Sequence, residues 1–474
     1  MPVRVLRGAE AAGLEESITS IQAELDLHEE FPADVEAAAR AAAAEPRLPT
    51  TDLTDLPFVT IDPASSTDLD QAMHLVRDGS GYLVHYAIAD VAAFVAPGDP
   101  VDLEAHRRGQ SMYGADRMVP LHPPVLSAGA ASLLPDQVCP AFVWTIRLDG
   151  DGALGEASVE RALVRSRAKL AYDAVQADVS AGRAEPMMAL LGEIGRLRLE
   201  QETARGGVSL PLPEQEVVVE DGRMRLELRA GSEVESWNAQ ISLLTGIAAA
   251  RMMLEAKVGV VRTLPPAPPQ ALEKLRRTAR ALGVDWPADL DYPAFVRTLD
   301  PTRPADAAMA VACTTLFRGA GYAAFDGDLP EVTEHAALAT PYAHVTAPLR
   351  RLVDRYALET CAALCAGTAV PDWVRTALPA LPEEMRDSGR RAGQYERAVV
   401  DLVEATVLAD RVGEQLAGVV LEADEDRPTR GEIQLGDPAV QARLTSERPL
   451  PVGEQVRATL TTADPTTRKV ELTL

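Results

Sequence analysis

A chain of 474 residues is long enough for about three domains and a large buried core. Its 46 lysines and arginines face 71 aspartates and glutamates, a formal net charge of −25. That balance excludes a protein that coats nucleic acid with a basic surface, but not one that draws a polyanion into a locally positive path. The basic side chains are nearly all arginine, the lysines being Lys169, Lys257, Lys274 and Lys469, and arginine suits bidentate phosphate contacts. Cys139, Cys313, Cys361 and Cys365 form no CxxC pair and accompany no histidine cluster. Cys361 and Cys365, at i, i+4 on an apolar helix, read as buried free thiols. No charged n-region with an apolar run follows the first residue, and no stretch is apolar enough to span a bilayer, so a cytoplasmic protein without a membrane partner is expected.

In chain order, residues 1–50 read as a short helical N-terminal region. Leu14, Ile18, Ile21 and Leu25 make one apolar stripe, and Pro32 is placed to open a second, alanine-rich helix that stops before Pro46. The pair reads as a small helix-turn-helix or as a brace packed on the larger domain C-terminal to it. Leu56 to Ile61 is apolar and β-branched enough for a buried strand, which Asp62-Pro63 ends. Asp62, Asp68 and Asp70, with Gln71 behind them, then crowd within a few residues. Three such carboxylates repel one another unless a positive charge sits between them, and hard divalent cations prefer oxygen ligands. On spacing alone, a solvated turn remains the commoner reading of such a loop.

From Leu56 to about Arg165 the pattern is mostly strand, including Tyr82 to Ile88 and Ala141 to Leu148, with a tight turn at Asp149-Gly150-Asp151-Gly152. Gln215 to Leu228 reads as a hairpin turning at Asp221-Gly222. Helical patterns then cover Glu233–Ala256, Pro269–Leu282, Ala305–Phe317, Pro348–Cys365 and Pro382 to about Gln415. From about Gly413 onward, short β-type segments return: Leu416–Leu421, Gly431–Leu435, Gln455–Thr461 and Lys469–Leu474.

Five separated motifs give this pattern a resemblance. Ile61-Asp62, Asp68 and Asp70 match three aspartates of an I-D-x5-D-x-D-D series, with Gln71 at the fourth. His85-Tyr86-Ala87-Ile88-Ala89-Asp90-Val91 with Gly98 and Asp102 resembles "HIADV…G…LD". Arg108-Gly109-Gln110-Ser111-Met112-Tyr113 with Arg117-Met118-Val119-Pro120 resembles "RGTSVY…R.IPMLP". Thr346-Ala347-Pro348-Leu349-Arg350-Arg351 resembles "TSPIRR", and Tyr395-Glu396-Arg397 resembles "AER". All five, in this order, belong to the RNB catalytic domain of the ribonuclease II and ribonuclease R family.

The resemblance implies an α/β (α+β) catalytic domain over 51–408, with a mixed sheet early and helices late. It implies a C-terminal OB-fold barrel of the ribosomal-protein type over 409–474, and residues 1–50 stand where many members carry cold-shock domains. It further implies a magnesium-dependent 3′→5′ exoribonuclease that releases nucleoside 5′-monophosphates, with Mn²⁺ as the alternative ion. The partner is RNA with a free 3′ end, single-stranded and, with the cold-shock barrels missing, structured as well; a monomer is expected. Asp62, Asp68, Asp70 and Gln71 would hold metal, Asp70 and Asp68 being catalytic together with Arg350, which contacts the scissile phosphate. Tyr113 would stack on the terminal base and Glu396 would hold the terminal ribose. Leu210, in Arg205-Gly206-Gly207-Val208-Ser209-Leu210, replaces the family's second aromatic. Gln71 and Leu210 motivate the alternative, a catalytically silent RNA-binding protein on the same fold. After Tyr395 there is no Phe, Tyr or Trp, so the barrel would hold backbone rather than stack bases.

Overall fold

Asp62 and Ala171, 109 residues apart in sequence, lie side by side because the first strand of the sheet pairs in parallel with its last. The computed structural model describes residues 14–474 apart from 115–116, 211–213, 221–222, 230, 301–302, 425, 437 and 439. The chain runs α1 (Glu15–Glu24), α2 (Ala33–Ala44), β1 (Phe58–Asp62), β2 (Gln71–Asp78), β3 (Gly81–Ala89) and α3 (Pro100–Arg108). A short pair β4 (Met112–Tyr113) and β5 (Met118–Val119) precedes the long strands β6 (Val138–Leu148) and β7 (Leu154–Ala171). Next come α4 (Tyr172–Ser180), α5 (Pro186–Ala204), β8 (Glu214–Glu220), β9 (Arg223–Arg229), α6 (Glu233–Ala256) and β10 (Val258–Thr263). Then follow α7 (Pro269–Ala281), α8 (Tyr292–Val296), α9 (Pro304–Cys313), β11 (Gly321–Asp326), β12 (Glu334–His335) and β13 (Thr340–Pro341). The C-terminal third holds α10 (Leu352–Cys365), α11 (Asp372–Ala377), α12 (Leu381–Leu408), β14 (Gln415–Ala423), β15 (Arg430–Leu435), β16 (Gln441–Thr445), β17 (Gln455–Asp464) and β18 (Lys469–Thr473).

The early sheet is a closed barrel in the order β1-β2-β3-β6-β7, antiparallel except for the β1–β7 pair that closes it. Side chains alternate across a strand, and here both sides are covered. Val84, Tyr86 and Ile88 of β3 pack with Phe142, Trp144 and Ile146 of β6 and with Ile241 and Leu244 of α6. The intervening Ala87, Ala89, Ala141 and Val143 pack with Val35 and Ala39 of α2. A second closed barrel, β14-β15-β16-β18-β17, has Val420, Ile433, Leu444, Leu460 and Leu472 at its centre. This is the OB-like module that the family resemblance implied for the C-terminal strands.

Several expectations shift. The helix read from Pro348 begins only at Leu352, because residues 346–351 form an irregular turn whose backbone and side chains bond to other elements. α5, unread in the sequence, contains Gly192 and Gly195, which weaken helical propensity. The glycines are there because Trp237 of α6 lies against them: a Cβ on Gly195 would sit 2.5 Å from its side chain. α3 likewise interrupts a stretch read as mostly strand. Strands β8 and β9 pair as the expected hairpin, whose turn at Asp221-Gly222 lies outside the described residues. Cys139, Cys313 and Cys361 are buried free thiols, but Cys365 is exposed, since it is the last residue of α10 and has passed the edge of the core.

The N-terminal helices pack on different cores. Ile18 and Ile21 of α1 join Tyr395 and Val399 of α12, whereas α2 covers the first barrel. Between them, buried Arg108 donates to the carbonyls of His28, Glu30 and Pro120, each at 2.9 Å, and lies 3.8 Å over the Phe31 ring. Among the described residues no helix is long and apolar enough to cross a membrane. The motif residue Asp102 is structural: it accepts from Gly98 N–H at 2.7 Å and from Arg355 at 2.5 Å, with the Arg355 side chain 2% exposed. Removing one member of a buried pair strands the other's charge. Arg355→Met is therefore expected to cost about 3–5 kcal/mol, read as a lower denaturant midpoint; a loss below about 1 kcal/mol, the range of surface pairs, would contradict this.

Candidate active site

The loop from Asp62 to Asp70 leaves β1 and returns into β2, and three anchors fix its backbone. Lys169, near the end of β7, donates its Nζ to the carbonyls of Ala64 (2.7 Å) and Ser66 (2.5 Å). Ser132 accepts from Leu69 N–H (2.9 Å) and donates to Thr67 O (2.8 Å). Ala89 N–H reaches Asp70 O at 2.9 Å. A loop satisfied in this way holds its side chains in fixed directions, which a solvated turn would not do.

Those directions bring the three aspartates together electrostatically. Burial pushes Asp62 up to about 6; the Asp68 charge raises it further, while Arg350 and Lys169 oppose. Burial also raises Asp68, opposed by Arg350 and by the nearby Tyr113 hydroxyl. Asp70, 3% exposed, is pushed up to about 7 by burial, with Asp68 and Asp354 adding to the effect and Arg350 and Leu349 N–H opposing it. The physical cause is the same throughout: desolvated carboxylates with too little positive charge nearby.

The one guanidinium they share is Arg350. Its Nε donates to Asp70 Oδ2 at 3.1 Å, while 44% of its side chain stays exposed. It belongs to the irregular turn 346–351, which is pinned on every side. Asp354, fully buried, accepts both Arg351 Nε and Nη2 at 2.9 Å and Ala347 N–H at 2.7 Å. Leu349 N–H donates to Asp70 Oδ1 at 2.8 Å. Ser111 N–H meets Arg350 O at 2.9 Å and Leu352 N–H meets Gly109 O at 3.0 Å, so the Gly109–Ser111 motif and the turn form one short ladder. Gly109 has φ +72°, and a Cβ there would lie 2.5 Å from the Ser388 side chain of α12; only glycine fits both demands.

Gln71 is a strut. Its Nε2 donates to Thr346 O and its Oε1 accepts from Tyr86 at 3.0 Å, tying β2 to the turn. Tyr113, 46% exposed, stands beside Asp68 and Arg350. The following Gly114 passes against Tyr395 so closely that a Cβ would be 2.6 Å from the hydroxyl. Glu396, the next residue of α12, is half-buried. Leu210 packs into the apolar cluster of Leu275, Phe295 and Leu299 from α7, α8 and the turn after them, whereas Tyr113 stands over the aspartates. Sequence reasoning missed Lys169, Ser132, Tyr86 and Asp354. Lys169 was conspicuous as one of few lysines, and Asp354 by its i+3 spacing from Arg351; the other two carry no pattern.

The donor set bears on a divalent metal in two ways. Among the described residues, no three acidic, histidine or cysteine side chains already surround a single point as ligands. Both oxygens of Asp70 take a donor from the turn, leaving each further lone pairs. The chemistry nevertheless fits: three desolvated carboxylates, each raised by burial, are the oxygen-rich and charge-deficient set that suits a hard cation.

Residues 50–365 match the model of the RNB domain, and residues 414–474 that of the RNase II-type exonuclease C-terminal S1 domain. The chain is 30% identical over 403 residues to Ribonuclease R of Escherichia coli (strain K12), a match covering 78% of this chain and 48% of that protein. It is 26% identical over 319 residues to the Exosome complex exonuclease RRP44 of Homo sapiens, covering 64% of this chain and 33% of the relative. The chain thus spans about half the length or less of these relatives. In fold it is similar to Mycoplasma genitalium RNase R solved with ribose-methylated single-stranded RNA, with a TM-score of 0.84 at 20% identity over 97% of this chain and 77% of that one. It is also similar to yeast Ssd1, described as a pseudonuclease, with a TM-score of 0.71 at 15% identity over 98% of this chain and 58% of that one.

If Lys169 anchors the aspartate loop, Lys169→Ala should speed amide hydrogen exchange in residues 64–69 by about tenfold or more, the loss of roughly 1.4 kcal/mol of local protection. Exchange in that segment unchanged from the wild type would show that the lysine is incidental.

Proposed function

The chain belongs to the RNB-domain family, and from that premise we propose that it is a 3′→5′ exoribonuclease hydrolysing single-stranded RNA to nucleoside 5′-monophosphates. The observation that carries the reading is a permanently charged, half-exposed Arg350 held over Asp70 among three desolvated carboxylates. A planar guanidinium fork matches phosphate oxygens, and its fixed position lets it meet charge that develops in the transition state without reorganisation.

The roles of the side chains follow from their positions. Asp62, Asp68 and Asp70 would hold the divalent ion, Mg²⁺ by the family's pattern. When bound, it supplies neutralising charge and a water acidified for attack on phosphorus. Arg350 would exchange part of its contact with Asp70 for the scissile phosphate. Asp354 holds Arg351, so that Arg350 rather than Arg351 reaches the aspartates. The exposed Tyr113 ring offers a stacking face for the terminal base, a contact worth about 1–3 kcal/mol that tolerates any base. Glu396 would accept hydrogen bonds from the ribose hydroxyls, favouring RNA over DNA through the 2′-hydroxyl. Gln71 fixes the Thr346 end of the turn.

The second reading, a silent RNA-binding protein, is favoured by Gln71, whose amide serves the fold, and it keeps the same RNA path. One assay separates the two. With 5′-labelled RNA and Mg²⁺, the expected result is shortening from a free 3′ end with release of mononucleotides, resistance of a 3′-blocked RNA, and at least tenfold slower attack on the matching DNA, an order of magnitude set by loss of the ribose hydroxyl contacts. RNA that binds yet stays intact at every Mg²⁺ and Mn²⁺ concentration would establish the silent binder, and internal fragments would rule out an exonuclease. Arg350→Lys keeps the charge and removes the fork. It should lower kcat/KM by about 10²-fold, the range seen for loss of one transition-state donor, and a change below threefold would remove Arg350 from the chemistry.

A further inference from the structure

Away from the aspartates lies a cleft of about 370 Å³ between α5, α6 and the turn joining β6 to β7. Three of its lining residues are arginines: Arg198 and Arg205 from the end of α5, and Arg251 from α6. Ile247 and Leu154 supply an apolar wall. The cleft is distinct from the candidate active site. Asp62 pairs with Ala171 at one end of β7, whereas Leu154 begins that strand at the other. On α6, Arg251 is about 14 Å by helical rise beyond Ser242, whose hydroxyl meets Thr346.

The arginines are crowded and incompletely partnered. Arg198 is 4% exposed; its Nη1 donates to Gly152 O at 2.8 Å, but its buried Nε–H has no acceptor among the described residues. Arg205 donates its Nε to Leu338 O at 2.8 Å and keeps a buried Nη2 without one. Burial, reinforced by the charges of Arg205 and Arg251, lowers Arg198 to about 10. The carboxylate whose charge favours Arg198 and Arg205, Glu202, is buried and accepts its hydrogen bonds from Ser209 (2.6 Å) and Gln240 (2.7 Å). Three guanidiniums against one otherwise engaged carboxylate, in a chain of net charge −25, form a local excess of positive charge. Unsatisfied buried donors are costly, and like charges held together disfavour their own ionisation. An anion with several acceptor oxygens removes both costs at once.

We propose that this cleft binds a phosphate monoester of nucleotide size. A dianion balances the local charge, its oxygens accept from the arginine forks, and Ile247 and Leu154 receive the apolar face of a sugar or base. The volume lies in the range of small-molecule sites. The assignment stands whether or not the chain cleaves RNA.

The test is titration calorimetry on the full chain, without divalent metal, using adenosine 5′-monophosphate, with inorganic phosphate and a 3′-blocked single-stranded RNA as comparison ligands. Variants are Arg251→Ala, whose side chain is exposed and whose loss spares the fold, Arg205→Gln, and Asp70→Asn, each checked for an unchanged unfolding transition. The expected result is saturable binding of adenosine 5′-monophosphate, tighter than that of inorganic phosphate, weakened at least about fivefold by each arginine variant, as for a lost charge-assisted hydrogen bond, and kept in Asp70→Asn. No saturable binding, or binding that ignores both arginine variants, overturns the proposal. So does binding that vanishes in Asp70→Asn, which would place the ligand among the aspartates, or binding of the RNA alone, which would make the cluster a contact for the RNA backbone.

Discussion

The contact between Arg350 and Asp70, joining residues 280 positions apart, is the constraint around which the first barrel is arranged. Asp70 is almost fully buried, and a buried carboxylate needs donors or it will not stay ionised. Both its donors, Leu349 N–H and Arg350 Nε, come from one irregular turn. Everything that positions the turn therefore also positions the charge: the Asp354 clamp, the ladder with Gly109 and Ser111, and the Gln71 strut. Everything that positions the aspartate loop does the same from the other side, through Lys169 and Ser132.

The barrels and helices supply rigidity to this pairing. Closing the first sheet through the parallel β1–β7 pair puts Lys169 under the aspartate loop, because Thr60 and Lys169 are register partners. α12 packs against this side of the site, with Ser388 close to Gly109 and Tyr395 close to Gly114. The global acidity of the chain is no obstacle to an anionic substrate, since charge acts over about a Debye length of 8 Å at physiological salt. Within that distance, Arg350 offsets part of the aspartates' charge and three arginines line the cleft on α5 and α6.

Much of this was legible in the residues. Apolar, β-prone runs marked β3 and β6, and the Ser232…Glu235 capping box seen in the structure agrees with the helix read from Glu233. Three of the five motifs, those holding Asp70, Gly109–Tyr113 and Thr346–Arg351, supply residues that meet around Arg350. What stayed hidden has physical reasons. Periodicity reports which face of a strand is buried but not which strand lies beside it, so the closing β1–β7 pair could not be read. Pro348 suits a helix start, yet hydrogen bonds to Asp70, Gly109 and Asp354 hold that segment irregular until Leu352. Gly192 and Gly195 hid α5 because their reason, the Trp237 ring, lies in another helix. Lys169 and Ser132 act on backbone carbonyls and amides, a role that leaves no spacing to recognise. Gln71 stood out as a departure from a pattern of aspartates, and its two hydrogen bonds explain what an amide does there.

The most direct measurement of the central claim compares the wild type with Asp70→Asn, using 5′-labelled single-stranded RNA and Mg²⁺ and monitoring RNA affinity and the unfolding transition in parallel. The substitution keeps the size of the side chain and removes the charge that Arg350 faces. The account requires mononucleotide release to fall by at least about 10²-fold, the scale for losing a group that organises transition-state charge, while the fold persists and RNA still binds. Equal degradation by both proteins would place the chemistry elsewhere and leave the Arg350–Asp70 contact a structural one.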